Sequence, residues 1–600
     1  MFYKGIQGIF SGGQYVYIFG FNFEVYFSIF KVRKISCTFE AFCLEILTNF
    51  WYNYLCITSD SFGYEEVGDR AMAKEKIEKP QSLEKTLWAA ADKLIGAVMP
   101  HDYMKMVLGL IFLKYVSDRF EAKYAQLVAD GDGFEEEKDA YAEDNVFWIP
   151  EKCRWGYIKQ YVKSEYIGTI LDQALVDIEK ENDELRGILP KVYSKGDVDK
   201  RRLGELVDLF SNNLSTENMT GDLFGRCYEY FLGEFSKKFG QKGGEFYTPR
   251  CVVDLIVNMI QPFNGRVYDP CCGSGGMFSQ SANFINEHQG SINNISVYGQ
   301  ELNPDTWRMA KMNLAIRGIS ADLGDSHGDT FHDDKHKTLR ADFIMANPPF
   351  NISDYGQPSL LEDPRWIYDI PPSGNANYAW IQHMISKLSP RGVAGFVLAN
   401  GSLATSGKQE YNIRQKMLEE GIVDCIIALP TNLFSTVTIP ACLWFLRKDC
   451  RNRGKVLFIN CGEKGIMIDR KIRELTYNDA TIGHTDNPEL IEKVKAYNLS
   501  EYGDETKGDV ESIAAVYHAW LKGEGYEDVK GFCKSASIEE IREADYSLVP
   551  GRYVGTDDSG KMSEDEIKAE IVRVKKELFD LMEKGKELDE KIYAILNSED

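Results

Sequence analysis

Apolar residues at Leu83, Leu87, Ala90, Leu94 and Val98 recur at the spacing of one helical face. Pro100 ends that run, because proline has no N–H to give a helix interior. A second apolar run, Met104 to Val116, continues into the charged stretch YVSDRFEAKY, and further helices are predicted over 166–188, 201–213 and 221–238. Strand signals are scarce in this part, so residues 72–238 read as an all-helical domain.

The period changes after Gly243-Gly244. RVYDP (266–270), SVYGQE (296–301), DFIMANPP (342–349), VAGFVLAN (393–400), VDCIIAL (423–429), ACLWFLRK (441–448) and KVLFINC (455–461) are short β-rich runs. They alternate with helical stretches, which predicts a doubly wound α/β sheet over 239–480. Only the polar connection Asp449 to Gly454 separates the last two runs, so they read as a hairpin closing the sheet. Residues 480–545 read as mixed and helical, within a C-terminal region of 481–600.

The tail is more regular. Ile567, Ile571, Val574, Leu578, Leu581, Leu588, Ile592 and Ile595 follow steps of four and three, with Gly585 at the missing position and mostly Glu, Lys and Asp between. A seam that narrow suits a coiled coil with a partner helix; packing on its own domain is the alternative.

Residues 1–71 break the pattern. Phe19, Phe21, Phe23, Tyr26, Phe27, Phe30, Phe50, Trp51, Tyr52 and Tyr54 crowd them, and Glu24, Lys31, Arg33, Glu40 and Glu45 interrupt every window long enough to span a membrane. We read them as translated sequence upstream of a start at Met72; the alternative is an aromatic-rich accessory segment.

Composition narrows the class. A 600-residue chain with 44% hydrophobic and 27% charged residues is that of a soluble protein of several domains. Its 13 cysteines form no CxxC pair, which suits reduced thiols in a cytoplasm and gives no metal site. A net charge of −23 opposes unaided binding to nucleic acid, so any DNA grip must be local or lent by a partner.

Two strand ends carry chemistry. After Arg266-Val267-Tyr268 come Asp269-Pro270-Cys271-Cys272-Gly273-Ser274-Gly275-Gly276, a D-x-x-x-G-x-G turn that lets a ligand approach the backbone. Phe278 replaces the third glycine of the dinucleotide fingerprint, so no pyrophosphate is implied. Glu301 ends the next strand, where a ribose would be held, and Asn303-Pro304 starts a helix running to Gly318. Glycine loop and acidic strand end together indicate a nucleoside-containing ligand rather than a plain strand–helix turn. Pro270-Cys271 resembles the nucleophile of cytosine-C5 methyltransferases but sits inside the cofactor loop, where two small packing residues are the better reading.

The second strand, Ala341 to Ala346, stops in Asn347-Pro348-Pro349-Phe350. Two prolines cannot continue a ladder, and they stiffen the turn at the carboxyl edge of the sheet, where such folds bind ligands. An exocyclic aromatic amine is a poor nucleophile because its lone pair is delocalised. The Asn347 side-chain oxygen and the Pro348 carbonyl, aimed at its N–H bonds, localise that pair and stabilise a cationic transition state. Phe350 offers a face to a base that has left the duplex. Asp329, in GDTF between Glu301 and this strand, is a weaker candidate for the adenine end of the cofactor pocket.

At this point the chain resembles the modification (M) subunit of type I restriction–modification systems. LEKTLWAAADKL and VLGLIFLKYVSDRFE resemble that family's N-terminal helical domain. GGEFYTPRCVVDLI, DPCCGSGGMF, YGQELNP, DFIMANPPFN, SGNANYAWIQH and YSLVPGRYVG follow in its order. The resemblance implies a Rossmann-like class I methyltransferase sheet and transfer of the S-adenosylmethionine methyl to adenine N6 in double-stranded DNA. No metal is expected. Glu245, Phe246, Tyr247, Thr248, Pro249 and Arg250 would lie across the methyl donor, Ser274 to Gly276 would form the glycine-loop contacts, and Glu301 would hold the ribose. Asn347 to Phe350 would be the catalytic tetrapeptide. A specificity (S) subunit would read the sequence, with a second M subunit present and a restriction (R) subunit adding ATP-driven cleavage; this also answers the charge conflict. Gly401 to Gln409 is not a phosphate loop, having one residue too many between its glycines and no Ser or Thr after Lys408. A glutamine-amide protein methyltransferase and a catalytically silent cofactor-binding scaffold are the competing readings.

Overall fold

Pro100 opens the long helix of the N-terminal part. The computed structural model describes residues 83–93, 100–214, 223–239, 248–288, 294–434, 440–450, 454–478, 487–555, 571 and 573–576. The aromatic-rich 1–71 segment, Glu245 to Tyr247, and the tail seam apart from Ile571 and Val574 lie outside the described residues. The described residues from 83 to 555 belong to one compact unit.

α1 (Leu83–Lys93) and α2 (Pro100–Asp130) begin this unit. Proline suits the first turn of α2, where its missing N–H would have had no intrahelical partner. α3 (Ile167–Glu181), α4 (Lys200–Asn213) and α5 (Leu223–Phe239) follow, with no strand before Gly265 among the described residues. The helix expected over 166–188 stops at Glu181. There Asn182 turns extended and donates its side-chain amide to Trp148 O at 2.9 Å and Ile178 O at 2.8 Å. Among the described residues no helix is long and apolar enough to cross a membrane.

α6 (Arg250–Ile260) leads into β1 (Gly265–Asp269), α7 (Gly276–Glu287), β2 (Ile295–Gly299), α8 (Pro304–Ile316), β3 (Ala321–Asp322) and β4 (Ala341–Ala346). α9 (Asn377–Lys387), β5 (Leu388–Ala399), α10 (Lys408–Glu420), β6 (Val423–Ala428), β7 (Ala441–Arg447) and β8 (Lys455–Asn460) come next. A small pair, β9 (Ile466–Met467) and β10 (Arg473–Glu474), precedes α11 (Pro488–Tyr502), α12 (Asp509–Lys522) and β11 (Cys533–Ser537).

Among the described residues the sheet has nine strands, in the order β11-β8-β6-β7-β5-β4-β1-β2-β3. β1 to β5 are parallel, β7 is antiparallel to both β5 and β6, and β8 is parallel to β6. This is the expected Rossmann-like α/β sheet, and it corrects one detail. β7 and β8 are not a hairpin, because β6 lies between them. Every residue of β7 is buried, so it satisfies its backbone and side chains only inside the sheet. A polar turn reveals that the chain reverses, not which gap the strand fills. The region read as helical also holds β11, which pairs antiparallel with β8; the short, polar CKSAS carries no alternating apolar signal.

Side-chain alternation divides the core between two faces. Val267 and Met345 pack with Val252, Ile256 and Phe278 on one face. Tyr268 and Ile344 pack with Ile381 and Ile413 on the other. The loops after β1, β4, β5, β6 and β8 therefore share one carboxyl edge.

Candidate functional site

Asp269 ends β1 and is 1% exposed. Its Oδ1 accepts from Cys271 N at 2.9 Å, which bends the chain into the glycine loop. Cys272 N donates to Gln300 O at 2.9 Å, and Gln300 N donates to Asp269 O at 3.0 Å, so the loop is pinned between the ends of β1 and β2. Gly273 and Gly275 take φ of 53° and 83°, which side chains rarely tolerate. A Cβ at Gly273 or Gly276 would meet nothing within 4 Å, so the backbone there faces open space.

Glu301 ties this loop to the next helix. Its Oε2 accepts from Gly273 N at 3.0 Å and its Oε1 from Asn303 N at 2.8 Å. Asn303 caps α8 through Asp305 N and Thr306 N, the cap read from Asn-Pro. A carboxylate has about four acceptor positions, which suits it to sugar hydroxyls as well as to backbone N–H groups. Asp329 sits one turn away: Gly328 N donates to Glu301 O at 2.9 Å, while Asp329 Oδ1 accepts from Phe331 N at 2.8 Å.

Burial sets the local electrostatics. It lifts the Asp269 carboxyl to about 7, with Glu301 adding to the rise. It also holds the Cys271 and Cys272 thiols well above their ordinary range, with Asp269 and Glu301 reinforcing it. A nucleophilic cysteine needs the opposite shift, so the cysteines act as packing residues.

Asn347 follows β4 at the same edge. Its Nδ2 donates to Thr248 Oγ1 at 2.9 Å, and its buried Oδ1 has no hydrogen-bond partner among the described residues. Orphaned buried acceptors cost stability, so one at a cleft marks a place for a ligand donor. Phe350 stands edge-on to Phe434, centroids 6.2 Å apart at 75°. Asn351 takes a left-handed φ of 54°. Asn377, 1% exposed, holds it there: Asn351 N donates to Asn377 Oδ1 at 3.0 Å, and Asn377 Nδ2 donates to Asn351 Oδ1 at 2.9 Å.

One open cleft brings Thr248, Arg250, Asp269, Gly273, Ser274, Gly276 and Asn347 together. Pro249, Gly275, Glu301, Asp329, Pro348, Pro349 and Phe350 are outside its lining; Pro249, Gly275 and Pro348 are chain neighbours of lining residues, and Glu301 accepts from Gly273 N. The cleft also takes in Glu229, Val253, Cys271, Cys272, Met277 and Gln280. Sequence reasoning missed Glu229 and Gln280, which lie inside helices, and Phe434 and Asn377; only SGNANY hinted at the last.

Comparison with known proteins gives a consistent picture. The N-6 DNA Methylase family matches residues 219–485 and 485–562, and the HsdM N-terminal domain family matches 83–210. The type I restriction enzyme HindI methylase subunit of Haemophilus influenzae is 42% identical over 65% of this chain and 83% of its own length. The MjaIX methylase subunit of Methanocaldococcus jannaschii is 34% identical over 89% of this chain and 94% of its own. The crystal structure of a type I restriction-modification system methyltransferase subunit from Streptococcus thermophilus has a TM-score of 0.64 at 26% identity, covering 79% of this chain and 99% of that one.

Proposed function

The chain belongs to the N6-adenine DNA methylases of type I restriction–modification systems, and from that premise we propose which of its residues perform the transfer and what it works with. It is a site-specific adenine DNA methyltransferase, an M subunit. S-adenosylmethionine, when bound, supplies an electrophilic methyl group on a sulfonium sulfur. The side-chain-free face at Gly273 and Gly276, with Glu301 behind it, fits that nucleoside.

Asn347 carries the proposal. Thr248 takes the amide N–H of Asn347 and so turns its oxygen, unpartnered among the described residues, to the cleft. That oxygen accepts one N–H of the adenine amine, and the Pro348 carbonyl accepts the other. Positive charge developing on the nitrogen is thereby stabilised in a site built before the base arrives. Phe350 and Phe434 wall the flipped base, and the Asn377 lock fixes the turn that presents Phe350. Asp269 and Glu301 act through the loop they shape.

A chain of net charge −23 does not hold a duplex by itself. We assign sequence reading and much of the grip to a specificity subunit, with a second M subunit in the complex and a restriction subunit as its cleaving partner. The test is labelled-methyl transfer to duplex DNA, with and without the co-encoded specificity subunit, followed by identification of the modified base. N6-methyladenine that depends on the partner supports the reading. Methyl on cytosine, or efficient site-specific transfer by the lone chain, contradicts it.

A further inference from the structure

We propose that Glu229 on α5 and Arg250 at the start of α6 together bind the zwitterionic amino-acid end of the methyl donor, Glu229 taking its α-ammonium and Arg250 its α-carboxylate. This rests on the methyltransferase reading above and extends it to a residue from the helical part of the chain. Both side chains line the cleft that holds Gly273, Ser274 and Asn347.

The carboxylate is held in place. Glu229 Oε1 accepts from Ser279 Oγ, and Oε2 accepts from Gln280 Nε2 at 3.4 Å and lies 3.1 Å from Arg317 Nη2. Its side chain is only 12% exposed. Arg250 is oriented as firmly: its Nε donates to Asp254 Oδ2 at 3.2 Å, and Tyr477 OH donates to the same oxygen at 2.7 Å. Glu229 is among the charges that favour the Arg250 cation.

A nucleoside alone offers nothing to such a pair. An amino acid presents both charges on one carbon, and each would gain a charge-assisted hydrogen bond here. Asp269 is the poorer ammonium partner, because it is only 1% exposed and burial lifts its carboxyl to about 7. A purely structural Glu229 would only fasten α5 to α7 through Ser279 and Gln280.

Two ligands of the full chain separate these readings: S-adenosylhomocysteine, which keeps the amino-acid end, and 5′-deoxy-5′-methylthioadenosine, which lacks it. Calorimetry should show Glu229→Gln weakening the first by about 10- to 100-fold, the range of a lost charged hydrogen bond, and leaving the second within about 2-fold. Arg250→Met should do the same. Equal losses for both ligands would mean a packing role and overturn the proposal, as would undiminished binding of S-adenosylhomocysteine. A wild-type chain that binds neither ligand overturns the donor reading itself.

Discussion

Replacing Asp269 with asparagine removes a buried charge while keeping an acceptor for Cys271 N. The unfolded carboxyl ionises near 3.8 and the folded one near 7, driven first by burial and then by Glu301. The folded chain therefore holds a proton that the unfolded chain has released, and stability falls as pH rises between those values. It levels off above about 7. The slope reaches about 1.4 kcal/mol per pH unit, so from pH 5 to pH 8 the wild type should lose about 3 kcal/mol through this group. Asp269→Asn should lose none of that share. Its extra N–H group adds a constant cost of about 1–3 kcal/mol if unpaired, which cancels when each protein is compared with itself. Other titrating groups are common to both chains and cancel as well. Urea unfolding of both proteins at the two pH values measures the difference of differences. Parallel pH dependence in wild type and variant would refute a buried, proton-holding Asp269.

Asn347→Ala should keep cofactor affinity within about 2-fold while methyl transfer falls about 10²- to 10³-fold, the usual cost of one transition-state partner; dialysis and single-turnover rates measure the two. Thr248→Val releases the Asn347 amide to rotate, so kcat should fall about 10-fold, and the unpaired amide should cost about 1–3 kcal/mol of stability. Asn377→Ala leaves Asn351 in a left-handed conformation without its lock. We expect about a 10-fold loss in kcat, partly restored by adding Asn351→Gly, which accepts that backbone without strain.

Most strands and helices were legible because their apolar periods are strong, and the turns of the candidate site because glycines and prolines mark them. The D-x-x-x-G-x-G loop, Glu301 and NPPF each follow a strand, where local spacing alone puts them on one edge. What escaped depended on partners distant in sequence. Nothing in ACLWFLRK says that it enters between β5 and β6, and nothing in CKSAS says that β8 needs a neighbour. Glu229 reads as one more polar residue of an amphipathic helix until α5 is set against α7. Asn377 acquires a role only when Asn351 is seen to be left-handed.

The polar β11 has a consequence for trimming the chain. It covers Val456 to Ile459 of β8, residues buried along their length. Its own outer rim includes Lys534, half-buried and paired with Glu540. Cutting the chain before Cys533 would bare an apolar row of unpaired N–H and C=O groups, a template on which other chains could add strands. Shortened versions intended for solution work should therefore end beyond Ser537. Those ending earlier should precipitate even though every proposed catalytic residue is retained.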